Sequence, residues 1–103
     1  MLWSKRKYSF KLRGGKYSFS TDALRGTIQH VMVIPKHNNT VWSMEMIDPE
    51  NDVVFNIRDW EGRLDDKSGL AVGLASLEKL NVNVYDSTHN DSFDVIFKIK
   101  ELE

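Results

Sequence analysis

At 103 residues the chain is the length of one domain, large enough to bury a two-layer core, and the absence of cysteine excludes disulfides and thiol catalysis. The net charge of −1 hides a split: residues 1–26 carry seven basic side chains against Asp22 alone, +6, whereas residues 27–103 carry 7 basic and 14 acidic side chains, −7. No apolar run approaches the roughly 20 residues of a membrane span, and Met1 to Lys7 has no apolar core after its charges, so a soluble chain without secretory signal or membrane partner is expected.

Residues 1–4 read as a tail, and residues 5–103 as a single domain. The domain opens on a near-repeat, Lys7-Tyr8-Ser9-Phe10 and Lys16-Tyr17-Ser18-Phe19, around Arg13-Gly14-Gly15-Lys16. A Gly-Gly pair can take the positive φ values of a two-residue hairpin loop. With Gly14 and Gly15 as the loop, Arg13 pairs with Lys16, Leu12 with Tyr17, Phe10 with Phe19 and Tyr8 with Thr21. The aromatics then share one face, in register, which predicts a basic aromatic hairpin over residues 5–21.

Asp22 to Gly26 is a connection, followed by the β-branched run Thr27 to Ile34, closed by Pro35. Period-two alternation puts Ile28, His30, Met32 and Ile34 on one face and Val31 and Val33 on the other. Such a strand needs cover on both faces, and the basic N-terminal segment is a candidate cover, folded over its own chain or reaching to a neighbour. Thr40 to Ile47 sets Trp42, Met44 and Met46 on one side; Val53, Phe55 and Ile57 follow a polar turn, Asp48 to Asp52, and complete a second hairpin.

Arg58 to Ser68 reads as a long polar connection holding Trp60 and Gly62. Gly69 to Lys79 fits helical and strand spacing equally, and its glycines weaken both, so a loop with at most one or two helical turns is expected. The C-terminal stretch is the clearest. Leu80, Val82 and Val84 alternate with polar residues; after a turn-rich break at Asp86 to Ser92, so do Phe93, Val95, Phe97 and Ile99. This predicts a third antiparallel hairpin. Short strands without alternating helices give an all-β fold: an antiparallel β-sandwich, jelly-roll-like, with an N-terminal β-hairpin. Trp42, Met44, Val82, Val84, Val95, Phe97 and Ile99 form its expected core.

Chemistry is less well marked. His30, His37 and His89 lack the close paired spacing of zinc ligands. The acidic loops at Asp48–Asp52 and Asp86–Asp91 offer calcium-type oxygens but no EF-hand pattern, and turn chemistry accounts for them. Neither a nucleophile elbow nor a phosphate loop is present, and Asp59, Glu61, Asp65 and Asp66 show no sign of a facing carboxylate pair. The expectation is no enzyme, no metal and no cofactor. The candidate partner contacts are Lys5, Arg6, Lys7, Lys11, Arg13 and Lys16, which suit an acidic partner or a neighbouring copy, and Trp60, which suits a carbohydrate. Single-stranded nucleic acid ranks last, because the aromatics fall on one face and much of the charge elsewhere.

From Ala23 onward the organisation resembles small β-sandwich virion-structure proteins of tailed bacteriophages. The likeness lies in the order Gly26-Thr27-Ile28 to Pro35, Thr40 to Asp48, Asp52 to Ile57, a loop with Gly62, Leu80 to Tyr85, Asp91, and Phe93 to Ile99. It covers about three-quarters of the chain, to the exclusion of the basic hairpin, and rests on layout. It implies a non-enzymatic virion component, a capsid decoration (cement) protein or a tail or neck accessory. Such a component assembles in the host cytoplasm as a homo-oligomer with other virion proteins. The alternative is a carbohydrate- or host-surface-binding sandwich module.

Overall fold

A computed structural model describes residues 3–66 and 72–100. Nine strands appear in chain order: β1 Trp3–Lys11, β2 Tyr17–Ser20, β3 Leu24–Pro35, β4 Val41–Ile47, β5 Val53–Glu61, β6 Leu64–Asp66, β7 Val72–Glu78, β8 Asn81–Tyr85 and β9 Ser92–Lys100. The described residues contain no helix. Two antiparallel sheets pack as a β-sandwich. One runs β1-β9-β3-β6, with β7 also on β3; the other runs β2-β8-β4-β5. β6 and β7 divide one edge of β3 between them, β6 along Val31–Val33 and β7 along Leu24–Ile28.

The core lies where the alternating faces meet. Trp42, Met44, Val82, Val84, Val95, Phe97 and Ile99 are all buried, as their period-two spacing predicts, joined by Leu12, Ile28, Val31, Val33, Met46, Leu80 and Phe93. Only the β4–β5 pair is a hairpin of the kind expected. The C-terminal pair is not: β8 lies in one sheet and β9 in the other, so Asp86 to Asp91 arches across the sandwich. The N-terminal pair is corrected in the same way. β1 pairs with β9 over its whole length, β2 pairs with β8, and only Arg13 and Lys16 bridge each other across Gly14-Gly15. Alternation cannot tell these cases apart, because a hairpin and an arch both turn one apolar face to the core. The expected contact between Phe10 and Phe19 does form, and Phe10 also stacks on Tyr17. They span the two sheets, with ring centroids 5.3 and 4.6 Å apart.

The two arches hold each other. Ser87 N–H donates to the Gly15 carbonyl (3.0 Å), Gly15 N–H to Asn90 Oδ1 (2.8 Å) and Leu12 N–H to the Asp91 carbonyl (3.0 Å). β1 extends its own chain's sheet beyond β9 and does not lie over a face of β3, the cover expected of the basic segment. It also begins at Trp3, two residues inside the expected tail.

Three further expectations shift for local reasons. A bulge at Gln29 inserts one residue against β9, between the pairs Ile28–Ile99 and His30–Lys98. Ile28 therefore joins Val31 and Val33 inside, while His30, Met32 and Ile34 lie on the outer face, where His30 is still buried and the other two are half-buried. Gly69 to Lys79 is not a loop over its described part: β7 forms there by pairing with β3, a long-range ladder that local spacing does not encode, and residues 69–71 lie outside the described residues. Trp60 is not in a loop either. β5 continues to Glu61 through a bulge where Asp59 takes φ 51° and donates its N–H to Ser43 Oγ (3.1 Å).

The corner after β5 is built on Gly62. Its φ is +76°, its carbonyl accepts the Trp42 indole N–H (2.8 Å), and an added Cβ would meet the Asn38 carbonyl oxygen at 2.8 Å. Gly62→Ala is therefore expected to cost about 2 kcal/mol or more in chemical denaturation, from left-handed strain plus the backbone clash. An unchanged midpoint would show that the corner yields.

Candidate interaction surface

β1 is an edge strand. It pairs with β9 on one side and with nothing among the described residues on the other. Its alternation is strict. Trp3, Lys5, Lys7, Ser9 and Lys11 are exposed on the outer face, and Ser4, Arg6, Tyr8 and Phe10 are half-buried toward the other sheet. Lysines on an edge strand discourage sheet-to-sheet aggregation.

The register adds something more specific. Lys5 lies directly opposite Lys98, and Trp3 opposite Lys100. Like charges directly opposite on one face repel, so this arrangement is unfavourable unless an anion offsets it. Lys7 is 3.9 Å from Asp94, which also accepts the Ser9 hydroxyl (2.6 Å). No carboxylate among the described residues lies within ion-pair distance of Lys5 or Lys98. Between them, Trp3, Ser4, Lys5 and Lys98 line an open groove of about 460 Å³. Trp3 is 59% exposed there, the most exposed large apolar side chain described.

The predicted contacts therefore divide. Lys5, Lys7 and Lys11 share the outer face. Arg6 points the other way, its Nε 3.9 Å from Asp22. Arg13 and Lys16 flank the Gly14-Gly15 turn, both exposed, at one end of the same edge. Trp60 lies on β5, at the opposite edge of the sandwich and directly across from Trp42, with its indole N–H donated to the Arg63 carbonyl (3.0 Å). Sequence reading missed Trp3, Lys98 and Lys100. The signal was present: the β1 alternation runs back to Trp3, and both lysines sit on the polar face of β9.

The other constellations have local explanations. His30 is hydrogen-bonded to Asp65, and His37 Nδ1 lies 3.1 Å from Asp91; neither histidine has a hydroxyl nucleophile in hydrogen-bond contact among the described residues. Asp91 is buried and accepts from His37 N–H (2.9 Å), Thr40 Oγ1 (3.0 Å) and Ser92 N–H (2.8 Å). Burial alone would raise its pKa. These bonds, led by the His37 N–H and the Thr40 hydroxyl, outweigh burial and hold the carboxyl below its ordinary value. Asp48, Glu50 and Asp52 bring carboxylates within 4.8 Å of one another, but Asp48 Oδ1 is occupied by the Glu50 and Asp52 N–H groups, the pattern of a self-capped turn.

Comparison with protein-family models, with curated proteins and with solved structures finds no match. The likeness to phage virion proteins thus rests on strand order alone.

Proposed function

We propose that the chain is a non-enzymatic structural interaction module that docks an acidic protein surface on the outer face of β1. In the finer reading it is a bacteriophage virion component, a capsid decoration (cement) or tail accessory protein. The observation that carries the docking role is the pair Lys5–Lys98, which has no carboxylate of the described residues within ion-pair distance, beside exposed Trp3 on a sheet edge unpaired among the described residues. An acidic partner relieves the repulsion, and the indole supplies apolar contact at the Trp3 end of the patch. The resemblance in strand order supports the virion placement.

Nucleic acid fits less well. Non-specific single-strand binding uses a run of rings on which bases stack. Here Tyr8, Phe10, Tyr17 and Phe19 pack on one another instead, at centroid distances of 4.6 to 6.2 Å, and Trp3 has no ring partner among the described residues. Carbohydrate binding at Trp60 fits less well, since its indole N–H is already spent on the Arg63 carbonyl (3.0 Å).

The test uses immobilised poly-glutamate and oligodeoxythymidine at physiological salt. The wild type should hold poly-glutamate, and Lys5→Glu/Lys7→Glu/Lys11→Glu should weaken that binding by about tenfold or more, because reversal turns attraction into repulsion. Failure to hold poly-glutamate, or tighter retention on oligodeoxythymidine, would overturn the proposal.

A further inference from the structure

We infer that the acidic surface is the opposite edge of a second copy of this chain, joined head to tail. This rests on the docking role proposed above and names its partner.

Two independent observations point to it. The first is charge. Residues 3–20, which form β1, β2 and their turn, carry six basic side chains and no acidic one. Residues 48–66, which form β5, β6 and the turn before them, carry seven acidic side chains and two basic. Strand order puts these two segments at opposite sides of the sandwich, with β1 and β2 ending their sheets on one side and β5 and β6 on the other. The molecule is thus basic at one edge and acidic at the other.

The second observation is apolar exposure. Among the described residues the large apolar side chains left exposed are Trp3, Tyr17, Val53 and Trp60. All four lie on these two edges, two on each. Each edge thus combines charge with two exposed apolar side chains, the mix of apolar and charged groups that interfaces bury.

The edges also match as backbone. β1 and β5 are both nine-residue strands with one unpaired side among the described residues. A two-fold dimer through either edge would set like charge against like. Only the heterologous arrangement, basic edge to acidic edge, brings opposite charges together, and repetition of such a contact builds rings or filaments. That mode of growth suits a protein that lines or decorates a particle.

Sedimentation velocity over a concentration series tests this, with two charge-reversed variants checked for β structure by circular dichroism. The first carries Lys5→Glu/Lys7→Glu/Lys11→Glu; the second carries Glu50→Lys/Asp52→Lys/Glu61→Lys. Wild type should self-associate. Each variant alone should be monomeric, because the charge opposition is lost: the basic edge falls from +6 to neutral in the first variant, and the acidic edge rises from −5 to +1 in the second, where it faces +6. An equimolar mixture of the two should associate again, since the unaltered acidic edge of the first meets the unaltered basic edge of the second. A wild type that stays monomeric at high micromolar concentration, variants that still associate alone, or a mixture that stays monomeric would each overturn the inference. A monomeric wild type that still holds poly-glutamate overturns head-to-tail assembly alone; one that also fails to hold poly-glutamate overturns the docking role as well.

Discussion

Asp91→Ala is expected to lose about 3–4 kcal/mol of stability. Hydrogen bonds to a charged group are each worth roughly 1.5–3 kcal/mol and do not add fully. Asp91 gathers the His37 N–H, the Thr40 hydroxyl and the Ser92 N–H, and Thr40 is completely buried, so removal of the carboxylate strands a hydroxyl that water cannot reach and takes the acceptor from both N–H groups. The same residue's carbonyl receives the Leu12 N–H, which ties the end of β1 to the arch before β9. Loss of the clamp should therefore loosen the docking edge too. The pH dependence has a definite sign. The folded-state pKa lies below the unfolded value of about 3.9, so the contribution is complete above that value and disappears as pH falls through the folded pKa. Urea denaturation from pH 7 down to pH 2 should show wild type approaching the Asp91→Ala variant at the acid end. A constant gap across the range would show that the charge is not what stabilises.

Phe97→Ala should cost about 3–5 kcal/mol, the range for large-to-small aromatic changes in a core. Phe97 is fully buried at the middle of β9, between Arg6 on β1 and Val31 on β3, and its ring centroid is 6.0 Å from that of Tyr8. Tyr8 in turn packs on Phe19 of the other sheet at 5.0 Å. The cavity thus opens beneath the strand that carries the lysines, and among the described residues that strand has no second neighbour to hold it. A loss below about 1 kcal/mol in guanidinium denaturation, a surface-like value, would place Phe97 outside the core.

These two residues show what the sequence made legible. Phe97 is readable from its neighbours: Phe93, Val95 and Ile99 share its period, and a period-two face on a half-polar strand has one physical explanation. Asp91 is not. In a run such as Asp86-Ser87-Thr88-His89-Asn90-Asp91, every residue suits a turn, and only the fold shows which carboxylate goes inward. The same limit explains the pairing errors. Alternation fixes which side chains face the core, but an arch and a hairpin satisfy it equally, so β1–β9 and β2–β8 were out of reach although Gly14-Gly15 was correctly a turn. The Gln29 bulge broke the face assignment of β3 because one inserted residue inverts everything after it. The basic edge was legible as composition. Its opposition of Lys5 to Lys98 required the register, since the two residues stand 93 positions apart.

The most direct test of the docking face is lysine labelling with an amine-reactive ester, read residue by residue by mass spectrometry, with and without saturating poly-glutamate. Lys5, Lys7, Lys11 and Lys98 line the outer face and its edge, whereas exposed Lys79 lies between β7 and β8. The account predicts that the first four become several-fold less reactive while Lys79 keeps its rate. Equal protection of all five, or protection of Lys79 alone, would contradict it.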